Sequence, residues 1–164
     1  MGVPAIGKSL ADRGHQVVLN IGGRVSPGAE RFVQPDINSA LQHKSGSGTF
    51  GIVTYPSYGE WAFAPAMFQT LSQHICDVDF ISLHSLYSFP VLAGYFLARF
   101  YHKPYGLWPH GVLAPFQRRV SVGKKKVYDC LIAKRMLNQA SVLICSASGE
   151  REEIYPLGLT PLSI

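Results

Sequence analysis

Charge, cysteine and long apolar runs are all scarce in this chain, and each scarcity excludes something. Charged residues make up 15% against 47% hydrophobic, a balance that rules out a solvating, disordered polymer and leaves a globular fold. No apolar stretch approaches the roughly 20 residues needed to cross a bilayer. The N-terminus lacks a basic region followed by an apolar run, so it does not read as a signal peptide. The three cysteines, Cys76, Cys130 and Cys145, are odd in number and widely spaced. Without a CxxC pair they offer no zinc site, and they read as reduced thiols of a cytosolic protein.

Ready-made catalytic motifs are missing too. The sequence has no nucleophile elbow and no complete dinucleotide fingerprint. "IGKSL", Ile6 to Leu10, has the end of a phosphate loop, but the upstream glycine spacing is absent and the residues fall mid-helix. The formal charge is +5, and much of the excess lies between Gln117 and Arg135. Near Arg118, Arg119, Lys124, Lys125 and Lys126 only Phe116 and Tyr128 are aromatic, which argues against a stacking platform for nucleic acid. Two readings of this basic stretch remain: a solvated helix face with a loop, or a surface that meets phosphates of a substrate or an anionic membrane.

What is present is an alternation of helical and extended patterns within 164 residues, enough for one domain with a core. Val3, Ile6 and Leu10 have helical spacing up to Gly14, and "QVVLNI", Gln16 to Ile21, reads as a strand. Gly22 to Gly51 reads as loop, with a turn of helix near Asn38 to Gln42. Gly51 to Pro56 is a short strand, and a helix starts near Pro65 with Met67 or Phe68, Leu71 and Ile75 on one side. Strands are expected at Val78–Ser85, Pro104–His110 and Ser141–Ala147. Helices are expected at Tyr87–His102 and Gly123–Ala140, the latter burying Val127, Leu131, Ile132 and Leu137. A last short helix is capped by Ser148. This order predicts an α/β protein with an open parallel sheet and helices on both faces. It is read as a single domain over 1–164. Because a helix opens the chain where a strand should come first, the first strand is expected to be missing.

In such sheets ligands bind outside the carboxyl ends of the strands. That rule singles out His84, Ser85, His110 and Ser146 on one rim. His110, in "YGLWPHGVLAPF", is either a structural histidine held by a backbone carbonyl or a polar group presented to a substrate hydroxyl. Gly111 favours the second reading, since glycine lets another molecule approach the backbone. Ser85 either belongs to the same crevice or helps to start the following helix.

Four stretches together resemble the N-terminal domain of family 4 glycosyltransferases, which have the GT-B fold. They are "MGVPAIGKSLADRGHQVVLNIGG", "DVDFISLHSLYSFP", "KPYGLWPHGVLAP" and "KKVYDCLIAKRMLNQASVLICSASGEREEIYPLGL". The resemblance implies a Rossmann-like half of a two-domain enzyme. Such an enzyme transfers a hexosyl group, with retention and without a metal or other cofactor, from a nucleotide sugar to a polysaccharide, lipid-linked or similar acceptor. It implies His110 as the catalytic cleft histidine and Gly2 as part of the loop that approaches the donor phosphates. The substrate-binding set is then Gly2, His84, Ser85, Gly111 and Ser146, with Arg118, Arg119, Lys124 and Lys125 at phosphates or the inner membrane face. The C-terminal donor domain has no counterpart in this sequence, so a fragment without activity of its own is expected. The competing expectation is a stand-alone α/β module that binds a ligand or membrane phosphates without catalysis.

Overall fold

A computed structural model of the chain describes residues 2–24, 36–112, 128–146 and 149. It is a mixed α/β structure in two compact units, Met1–Thr70 and Leu71–Ile164.

The first unit opens with α1, Val3–Asp12, whose first turn is preset by a proline. It ends in a Schellman turn: Gly14 takes φ +97°, its N–H donates to the Ala11 carbonyl, and that of His15 donates to Leu10. Then come β1, Gln16–Arg24, and the single-turn helix α2, Ile37–Ala40, capped by the Asp36 side chain. A hairpin of β2, Lys44–Ser45, and β3, Gly48–Ser57, follows. β1 and β3 are parallel, while β2 is antiparallel to β3, giving the order β1-β3-β2. Helices lie on both faces of this sheet. A side chain at Gly7 of α1 would strike Phe50, and one at Gly51 would strike Ala40 of α2. Phe50 and Gly51 are consecutive in β3, so they face opposite ways.

Two expectations need correcting here. β1 runs on through Gly22, Gly23 and Arg24, where loop was predicted. A Cβ on Gly23 would come within 2.7 Å of the Thr54 side chain, so the glycine is there for close packing rather than for a turn. The strand expected at Gly51–Pro56 begins at Gly48 and is part of a hairpin that turns at Gly46, φ +59°.

α3, Pro65–His74, and a 3₁₀ turn, Ile75–Asp77, lead to the second sheet. This consists of β4, Ile81–His84; β5, Tyr105–Trp108; and β6, Val142–Leu143, all parallel in the order β4-β5-β6. The expected strands are shorter than predicted but centred where the apolar runs put them. Between β4 and β5 runs α4, Phe89–Phe100. Before β6 a π-helical turn, Asp129–Ala133, continues into α5, Lys134–Asn138. Strands added in sequence order by right-handed crossovers carry their helices on one face. The core agrees: Leu83, Tyr105, Leu107 and Leu143 pack with Val91, Tyr95 and Ala98 of α4 and with Ala133, Met136 and Leu137. The π turn also corrects one prediction. Its wider winding shifts the helical phase, so Leu131, expected in the core, is 62% exposed, while Met136 is buried.

Among the described residues no helix is long and apolar enough to cross a membrane. Cys76 is a free, exposed thiol. The helix expected after Ser148 lies outside the described residues.

Candidate functional site

The polar face of the second sheet carries the site. Side chains alternate along a strand, so Leu83 turns to the core while Ser82 and His84 share the other face. Trp108 is the register partner of His84 on β5, which brings the indole beside the imidazole. The chain then leaves the strand through buried Pro109 and turns at His110.

That turn is unusual. His110 takes φ +53° and Gly111 φ +76°, two successive left-handed residues, of which only glycine does so without strain. Another histidine, His102, also has positive φ, at +54°. There the cause is a helix end: the Lys103 N–H donates to the Ala98 carbonyl and His102 occupies the glycine position of a Schellman turn. No helix accounts for His110. Its conformation aims the imidazole back across the strand ends.

The result is a file of hydrogen-bonding side chains. His84 Nδ1 lies 3.0 Å from His110 Nε2. His84 Nε2 lies 3.1 Å from Ser82 Oγ, and His110 Nδ1 lies 3.4 Å from Ser146 Oγ. The two imidazole planes are 16° apart with centroids 5.3 Å apart. Nitrogens at 3.0 Å are closer than stacked rings allow, so the pair meets edge to edge in nearly one plane. Trp108 lies within 22° of parallel to His84 and 21° to His110, with centroids at 5.5 and 5.9 Å. Burial, and then the neighbouring His110, push the His84 pKa down to about 4. His84 is therefore a neutral imidazole at physiological pH.

His84, His110 and Ser146 come together as the strand-end rule predicts. Gly111 is beside them, and among the described residues a Cβ there would meet nothing within 4 Å. Ser85, with φ +79°, takes part through its backbone: its N–H donates to the Trp108 carbonyl at 2.8 Å. The helix it was thought to start has Ser88 at its N-cap. Gly2 belongs to the first unit, as the N-cap of α1. Arg118, Arg119, Lys124 and Lys125 lie outside the described residues. Ser82 and Trp108 escaped the sequence reading, although both were within reach of it. Ser82 is two residues before His84, hence on its face, and Trp108 ends the neighbouring strand. Among the described residues no three His, Cys, Asp or Glu side chains gather as a metal cage would require.

Compared with known proteins, the chain matches no family model, no curated protein and no solved structure.

Proposed function

We propose that this rim is the carbohydrate-contacting site of the acceptor-side half of a retaining, nucleotide-sugar-dependent glycosyltransferase. In this reading the parallel β4-β5-β6 sheet is part of a Rossmann-like domain of a GT-B enzyme. The observation that carries the reading is the His84–His110 pair, joined at 3.0 Å beside the face of Trp108 at the carboxyl ends of two parallel strands. A sugar presents hydroxyls that both donate and accept, next to patches of C–H surface. Imidazole nitrogens answer the first and an aromatic face the second. His110 is exposed and His84 is held neutral behind it. His110 would then touch the sugar, with the lack of a side chain at Gly111 giving it room.

Glycosyl transfer further requires aimed donors and cations on the leaving diphosphate and both substrates held in register. The resemblance assigns those duties to a facing donor domain. On this chain the testable part is sugar contact. In an NMR titration with methyl glycosides, UDP-glucose and GDP-mannose at millimolar concentration, the Trp108 indole and His84 ring signals are expected to move saturably. The movement should be lost in His110→Ala. Signals that stay still with every one of these probes overturn the reading.

A further inference from the structure

The hydrogen-bonded file at the strand ends has a property that its individual distances do not display. A neutral imidazole has one N–H and one lone pair. The 3.0 Å bond between His84 Nδ1 and His110 Nε2 therefore needs one ring to donate and the other to accept. Once that choice is made, the opposite nitrogen of each ring is fixed as well. In one arrangement the Ser82 hydroxyl donates to His84 Nε2, His84 Nδ1–H donates to His110 Nε2, and His110 Nδ1–H faces Ser146. In the other, Ser146 donates to His110 Nδ1, His110 Nε2–H donates to His84 Nδ1, and His84 Nε2–H donates to Ser82. Any mixed state sets two N–H groups or two lone pairs against each other at about 3 Å, which costs as much as an unmade bond or more.

We propose that His84 is a positioning residue that ties the tautomer of His110 to its own, so that the two rings switch together and Nδ1 of His110 gives a hydrogen bond in one arrangement and takes one in the other. Three observations support this. The His84 ring is fixed from two sides, by Ser82 on its own strand and by the near-parallel Trp108 on β5. Burial, and then the neighbouring His110, hold the His84 pKa down to about 4, so at neutral pH this ring has one N–H and one lone pair to offer. The bond from His110 Nδ1 to Ser146, at 3.4 Å, is the longest of the three and the one an incoming hydroxyl most easily replaces. That last step rests on the proposed carbohydrate reading; the coupling between the two tautomers does not.

The test uses the full chain with ¹⁵N-labelled histidine and no ligand, at pH 7. Long-range ¹H–¹⁵N spectra report which nitrogen of each ring carries the proton. His84 and His110 are expected to show the same tautomer, both Nδ1–H or both Nε2–H. Ser82 is exposed and bonds His84 but not His110, and its hydroxyl serves either arrangement, so Ser82→Ala should leave the fold intact and the two rings still sharing one tautomer. His84→Ala should release His110 from the coupling, and His84→Asn, whose amide can donate or accept where Nδ1 was, should keep a hydrogen bond to His110 without restoring the coupling. Opposite tautomers in the native chain or in Ser82→Ala overturn the proposal even if His84→Ala fails to fold. Coupled tautomers in a chain that ignores every sugar probe overturn the carbohydrate reading alone.

Discussion

The polar clusters on the two sets of parallel strands are built on opposite plans. In the first unit the polar groups close on themselves. The Tyr55 hydroxyl, its ring wholly buried, donates to Asn20 Oδ1 at 2.9 Å, and the Asn20 amide donates to the Val18 carbonyl. Burial pushes the Tyr55 pKa up to about 12, against the opposing pull of a hydrogen bond to Thr70, so the group stays neutral. Ser57, one strand position further, is only 3% exposed. In the second unit the polar groups form an open file that ends in exposed Ser82 and Ser146, with His110 also exposed. Satisfied polar groups in the interior specify a structure. Groups that end at solvent can exchange a partner for a ligand. The contrast sets a closed polar cluster against an open one, and it can be tested in both directions.

The largest effect is expected in the closed cluster. Tyr55→Ala should destabilise the chain by about 3–5 kcal/mol, because it empties a fully buried aromatic site, seen as a fall in denaturant midpoint. Tyr55→Phe should cost about 1–2 kcal/mol, the consequence of leaving the Asn20 oxygen without its donor. On the open rim, acid should weaken the fold. The His84 pKa is near 4 when folded against about 6.5 for a free histidine. The unfolded chain thus binds more protons between these values, and this contribution to stability is full above pH 6.5 and is lost as pH falls toward 4. A His84 ring titration midpoint near 6.5 in the folded chain would remove that effect. The smallest change belongs to His110→Gly, expected within about 1 kcal/mol of the native chain. Relief of the left-handed strain offsets the lost hydrogen bonds, while any sugar response disappears.

The sequence revealed those features that rest on local rules. Gly14 after a helical run, prolines at helix starts and the apolar runs around Leu83 and Leu107 gave the elements in their right order. It was silent where neighbours decide. Gly22 and Gly23 look like loop residues, and only the Thr54 and Ser57 side chains next to them explain why a strand needs glycine there. The phase of the helix before β6 was lost for the same kind of reason, since nothing in "DCLIA" announces a π turn. In the site, His110 and His84 were legible because chemistry gathers at strand ends. Ser82 and Trp108 required the register between β4 and β5, which sequence pattern alone does not supply. The left-handed backbone at His110 was equally hidden, since histidine is not a residue that advertises it.

The second sheet is very short along its strands, with four residues in β4, four in β5 and two in β6. Leu83, Leu107 and Leu143 align across it as a single rung, and two of them directly precede His84 and Trp108. One further core-facing pair, Ile81 with Tyr105, lies beside it. Wear in that hydrophobic bar is felt one residue away, at the polar tip, so interior substitutions here should blunt the chemistry of the rim well before they melt the protein.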